Sequence, residues 1–216
     1  MLRQRTHILA ALVNYQPANR VTLSGQPYNE VWFSIVSILA PAARRRRGLE
    51  AADGAAAAVA ARGRPLSRPN PAVGAVIVND GIVVGRGWTQ AGGRPHAEAK
   101  ALAMAGDAAR GATLYVTLEP CAHASARGPS CTSLVLESGL ARVVIGVEDP
   151  DLRTAGRGIA ALRETGIAAE LLPSPAAEAS LAGYLTRARF GRPHVTLKLA
   201  TSLDGRIALP DGSSKW

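Results

Sequence analysis

Cysteine is almost missing from this chain of 216 residues, which holds two, Cys121 and Cys131. A disulfide framework is therefore excluded, and one bridge is the most that could form. Aromatic residues are scarce at 4% while hydrophobic residues reach 47%, so a core has to be assembled from Ala, Val, Leu and Ile. Long apolar runs are missing too. The best candidate, residues 31–43, is broken by Ser34, Ser37 and Pro41 and ends in four arginines. It falls short of the roughly 20 residues that cross a bilayer. No secretory signal and no repeat with a period of about 20–50 residues is visible. Acidic residues are lacking from the first 47 positions, where seven arginines face Glu30 alone, so most of the net charge of +9 belongs to an N-terminal arm. Such an arm suits contact with nucleic acid or a membrane surface. The preferred reading is a solvated arm or an over-extended gene start, because charge runs are usually solvated.

What is present is an alternation of strands and helices. Residues 48–62 are Ala-rich and stop at Gly63 and Pro65, which predicts a helix with Asp53 as its cap. Arg68-Pro69-Asn70-Pro71 is held extended by its prolines and feeds an apolar strand, 72–78. Asn79-Asp80-Gly81 is a hairpin turn signal, and 82–88 is the returning strand. Helices are predicted from His96 to about 105, from Cys131 to about 138, over 156–166 and over 176–190; strands are predicted over 113–118, 142–148 and 168–172. The pattern is that of a three-layer α/β/α domain with a mixed sheet. After Gly191 and Pro193, short strands are expected at 194–200 and 206–209, joined by an Asp204-Gly205 turn, with no helices after them. The expected organisation is an arm at 1–47, a domain at 48–190 and an incomplete second domain at 191–216.

Chemistry concentrates in His96-Ala97-Glu98, Pro120-Cys121 and Cys131. One imidazole and two thiolates make three ligands, the usual set for a catalytic zinc with its fourth position left to water. Glu98 is not needed as a ligand and is free to move protons. His-x-Glu followed by Pro-Cys and a second Cys is the pattern of zinc-dependent deaminases of nucleobase-like rings. Positions two apart on a helix do not share a face, so the pattern requires His96 to sit at the helix start. Taken singly, His96 could cap a helix, Glu98 could favour its positive end and the cysteines could pack in a core. Their joint order at strand–helix junctions favours metal. Two cysteines spent on a metal also point to the reducing cytoplasm. Cys121 and Cys131 are ten positions apart, and the loop between them carries His123 and Arg127, which suit a ring bearing a phosphate arm.

Further stretches carry a resemblance. Pro69-Asn70-Pro71-Ala72-Val73-Gly74-Ala75-Val76-Ile77-Val78, Leu118-Glu119-Pro120-Cys121-Ala122-His123, Gly128-Pro129-Ser130-Cys131, Val147-Glu148-Asp149-Pro150 and Thr154-Ala155-Gly156-Arg157-Gly158, with His96-Ala97-Glu98, resemble the bacterial bifunctional deaminase–reductases of riboflavin biosynthesis. The likeness runs from about residue 50 into Leu197-Lys198-Leu199-Ala200-Thr201-Ser202-Leu203-Asp204-Gly205-Arg206. It implies a cytidine-deaminase-like domain followed by the opening of a dihydrofolate-reductase-like one. It implies zinc on His96, Cys121 and Cys131, and Glu98 as proton shuttle. Substrate contacts are implied at Asn70, Ala97, His123, Arg127 and Ser214, and NADPH contacts at Thr201 and Trp216 were that domain complete. The implied reaction converts 2,5-diamino-6-(5-phosphoribosylamino)pyrimidin-4(3H)-one to 5-amino-6-(5-phosphoribosylamino)uracil, in a homo-oligomer. The chain departs from the family by one extra residue between the cysteines, and by Thr89 where a His is usual. Residues 1–47 have no counterpart there. No reductase activity is expected of this chain alone, the chain being truncated or a separate protein supplying that step. The competing readings are a deaminase of another nucleoside or of a tRNA base, and a zinc-stabilised remnant without turnover.

Overall fold

In the computed structural model, residues 51–214 are described; the basic arm and Trp216 lie outside the described residues. The Asp-Gly turn organises the first half. Asp80 and Gly81 both have positive φ, 47° and 79°, the geometry of a tight hairpin turn whose twist matches its strands. It joins β1 (Gly74–Asn79) to β2 (Ile82–Trp88), and Asn79 pairs with Ile82 across it. β1 also pairs antiparallel with β3 (Thr113–Val116), which runs parallel to β4 (Arg142–Ile145), itself parallel to β5 (Ala168–Leu171). The five-stranded order is β2-β1-β3-β4-β5, a mixed sheet.

Helices cover both faces. Residues 51–60, here α1, are helical. They are followed by α2 (Ala97–Ala105), α3 (Cys131–Glu137), α4 (Arg157–Glu164) and α5 (Pro175–Phe190). One face presents Ala75, Ile77, Leu114, Val116, Val143 and Ile145, packed in one core with Ala97 and Ala101 of α2 and with Ile159 and Leu162 of α4. Backbones come close here, since a Cβ on Gly87 would lie 2.0 Å from the Ala97 carbonyl oxygen. On the opposite face a Cβ on Gly74 would lie 2.0 Å from the Ala56 oxygen of α1, and one on Gly146 would lie 2.7 Å from the Ala177 Cβ of α5. This is the layered arrangement expected. It places Val116 and Ile145, the carboxyl ends of the two adjacent parallel strands β3 and β4, side by side. Loops that leave such ends are where open α/β sheets build sites.

Two expectations are corrected. Asp53 does not cap α1: it lies within the helical residues, and its carboxylate accepts the hydroxyl of Ser174, which is itself the cap of α5. That bond ties the two helices of this face. The strands expected at 194–200 and 206–209 are also not formed; residues 191–214 hold no strand or helix. A strand requires a ladder partner, and none of the described residues offers one. Val195, Leu197 and Leu199 keep their alternation but are 80%, 77% and 64% exposed. The Asp204-Gly205 turn does form, Gly205 N–H donating to Ser202 O at 2.9 Å with Gly205 at φ 80°. Among the described residues no helix is long and apolar enough to cross a membrane.

Candidate active site

His96 is the N-cap of α2, with extended backbone (φ −71°, ψ 167°) and no side-chain capping bond. Its imidazole is therefore free to turn toward the sulfurs. Nδ1 lies 3.2 Å from Cys131 Sγ and 3.6 Å from Cys121 Sγ. Cys131 is the first residue of α3, whose cap, Ser130, accepts from the Ser133 N–H. The Cys131 N–H donates to Cys121 Sγ at 3.2 Å. The three ligand atoms lie within 4.8 Å of one another. Glu98, in the first turn of α2, is buried beside them. The expected positions thus converge, and His96 does occupy the helix start that brings Glu98 to the same site.

The electrostatics suit a cation. The hydrogen bond from Cys131 is the largest influence lowering the Cys121 thiol, and the same bond, with burial, pushes Cys131 up. One thiol thus ionises early and the other holds its proton until a cation displaces it. Burial pulls His96 down, but the hydrogen bond to Cys121 and the charge of Glu98 outweigh it and raise its pKa. Burial raises Glu98, the charge of His96 opposing, so its carboxylate is a stronger base than one in water. An imidazole and two thiols around one point, with no fourth ligand in the set among the described residues, fit zinc with an open position.

Residues 49–147 match the model of the cytidine and deoxycytidylate deaminase zinc-binding region. Over this stretch the chain is similar to zinc-binding deaminases. Over 159 residues the chain is 49% identical to the riboflavin biosynthesis protein RibD of Escherichia coli (strain K12), a match covering 73% of this chain and 43% of that protein. The fold is similar to that of Acinetobacter baumannii RibD, with TM-score 0.68, 41% identity and coverage of 79% and 48% of the two chains. It is likewise similar to a diaminohydroxyphosphoribosylaminopyrimidine deaminase/5-amino-6-(5-phosphoribosylamino)uracil reductase of Thermotoga maritima, with TM-score 0.69, 38% identity and coverage of 80% and 50%. The chain spans half or less of the length of these relatives.

The metal set opens into a cavity of about 310 Å³. Asn70 and His123, expected from sequence, line it. Asn70 Nδ2 lies 3.0 Å from His96 Nε2 and donates to Gly93 O at 3.0 Å, so the side chain also braces the ligand histidine. Arg127 lines the mouth and donates to Gly92 O at 2.7 Å, while Arg94 donates to Pro129 O at 3.2 Å. These two bonds cross-link the loop before α2 to the loop between the cysteines. Ala97 packs in the core and not into the cavity. Thr89, in place of a His, is buried, and its hydroxyl accepts the Val73 N–H at 3.0 Å. Thr201 and Ser214 lie on the exposed segment after α5.

Sequence reasoning missed the second wall. Glu119 is buried, and its carboxylate accepts three backbone N–H groups, from Asp149 (3.2 Å), Gly156 (3.0 Å) and Ile159 (3.1 Å). It clamps the loop after β4 and the start of α4 against Pro120-Cys121. Asp149, the Asp151–Arg153 ion pair (2.6 Å), Tyr184 and Arg187 also line the cavity. The one signal available was an acidic residue held inside the apolar Leu118-Glu119-Pro120 strand end. Nothing in the spacing pointed to α5.

Proposed function

We propose that this domain hydrolyses 2,5-diamino-6-(5-phosphoribosylamino)pyrimidin-4(3H)-one to 5-amino-6-(5-phosphoribosylamino)uracil and ammonia. The observation that carries the reading is the convergence of His96, Cys121 and Cys131 within 4.8 Å, at one cavity with the buried Glu98 and the cationic Arg127. His96, Cys121 and Cys131 would hold zinc, which supplies a Lewis acid that makes water acidic near neutral pH. Glu98 takes a proton from the attacking water as its oxygen bonds to the ring carbon that bears the amine, hands that proton to a ring nitrogen, and then carries the second water proton to the amine, whose C–N bond breaks to release ammonia. Its raised basicity suits both steps, because a base with a pKa nearer neutrality transfers protons either way. His123 and Arg127 at the mouth suit the phosphate arm, Arg by paired N–H donors. The proposal covers the deaminase step alone. We place it in the cytoplasm, where reduced thiols are kept available for a metal, in the homo-oligomer that the resemblance implies.

The test is ammonia release from the phosphoribosylated diaminopyrimidinone, with zinc content measured on the same sample. Glu98→Gln is expected to retain zinc and lose turnover by at least about 10²-fold. Zinc bound with no turnover in the unaltered chain would overturn the reading.

A further inference from the structure

One carboxylate in the cavity has no part in the proton transfers. Asp149 follows β4 and is 7% exposed. Its backbone is fixed by Glu119, and two donors orient its side chain. The Tyr184 hydroxyl donates to Oδ1 at 2.5 Å, and the Asp151 backbone N–H donates to the same oxygen at 3.0 Å. No hydrogen bond from the described residues reaches Oδ2. No buried side-chain polar atom among them is left without a partner, so Oδ2 is the oxygen open to the cavity that Asp149 lines. The neighbouring Asp151 is already paired with Arg153 and does not compete for the same role. Tyr184 reaches the site from α5, the last helix of the described residues, and selects which oxygen stays free. An acceptor held at both its backbone and one oxygen, with the other open beside the metal ligands, is a group arranged to read a donor.

We propose that Asp149, positioned by Tyr184, selects an aminated ring, its Oδ2 accepting a hydrogen bond from the exocyclic amine that the reaction does not displace. The proposal rests on the deaminase reading above. The diaminopyrimidinone carries two primary amines. One leaves from the carbon that reacts at the metal ligands, and the other, at C5, remains as a donor in substrate and product alike. A carboxylate accepts and cannot donate while ionised, so it favours an amine there and disfavours a carbonyl or a bare C–H. The bond is charge-assisted and lies in a mostly buried site, where an unmet partner is costly.

The experiment compares two ring pairs that differ only in the C5 amine. Ammonia release is measured on the diaminopyrimidinone and on its C5–H analogue, and calorimetric binding on the uracil product and its C5–H analogue. The full chain is used, with zinc content and melting temperature as controls. The unaltered chain is expected to prefer the aminated member of each pair by about 10–100-fold. Asp149→Asn keeps an oxygen for Tyr184 but turns an NH2 toward the amine, so the preference is expected to fall to about threefold or less. Tyr184→Phe, which removes one hydroxyl, moves the ratio in the same direction by less. Asp149→Asn lowering both members equally, with the ratio kept, would overturn the proposal and leave a purely structural residue. Absence of any preference in the unaltered chain would overturn it as well. Should neither diaminopyrimidinone release ammonia, the deaminase reading fails, and the binding pair still decides the question for Asp149: equal affinities refute it, and a preference lost in Asp149→Asn supports it.

Discussion

Adding one methyl group at Gly87 tests how tightly packing and chemistry are joined. The Cβ of Gly87→Ala would sit 2.0 Å from the Ala97 carbonyl oxygen, 2.6 Å from the Ala101 nitrogen and 2.9 Å from the Lys100 Cβ. Two of these are backbone atoms of the helix that carries Glu98 and begins at His96, so no side-chain rotation relieves the clash. Reaching an ordinary contact of roughly 3.4 Å requires α2 to lift from β2 by about 1.4 Å. Overpacking of this kind costs about 1–3 kcal/mol, which for a chain of this size lowers the melting temperature by roughly 2–12 °C. The functional loss is expected to be larger, because a displacement of about 1 Å at a reacting group costs on the order of 10²-fold. Thermal unfolding, zinc content and ammonia release measured together check this. Gly183→Ala is the control: it lies in α5, where an added Cβ meets nothing within 4 Å, and should be neutral or stabilising by up to about 1 kcal/mol. A Gly87→Ala protein with unchanged melting temperature and unchanged turnover would refute the close-approach argument.

Glu119→Ala leaves three backbone N–H groups without their acceptor and is expected to cost about 2–5 kcal/mol, read by denaturant unfolding, with turnover falling as the Asp149 loop loosens. Zinc affinity should rise with pH: Cys131 and His96 both hold protons more firmly than usual, so loading displaces protons and acid opposes it. Competition titration with a chelator at several pH values, with proton release followed in parallel, checks the sign, and affinity independent of pH would contradict it. Arg127→Met is expected to raise KM by about 10-fold or more with little change in zinc content, since the lost group is the one proposed to meet the phosphate arm and is not among the metal ligands. Ser130→Ala removes the cap of α3 and should lower stability by about 0.5–2 kcal/mol, read by thermal unfolding.

The metal set was legible because its chemistry is local. His96, Cys121 and Cys131 each stand at a junction that residue pattern alone locates, and Asp80-Gly81 has few alternatives to a tight hairpin. Glu119 and Tyr184 were not legible, for a common reason. Their roles depend on partners distant in sequence, Glu119 on the N–H groups of residues 149, 156 and 159, and Tyr184 on the carboxylate of Asp149. No periodicity encodes such pairings. Asp53 misled in the opposite sense: an acid near a helix start reads as a cap, but tertiary contact with Ser174 claimed it. The alternating apolar residues at 195–199 satisfy a strand pattern, yet pattern does not supply a neighbouring strand.

The placement of Tyr184 on α5 also sets an order of assembly. A ribosome delivers the chain from its first residue, so the imidazole and both thiols emerge before the helix that orients Asp149. Metal capture can therefore restrain the nascent domain while the ring-reading wall is still unmade. On the role proposed for Asp149, reading of the ring is completed after metal capture, by a helix that supplies none of the three ligand atoms.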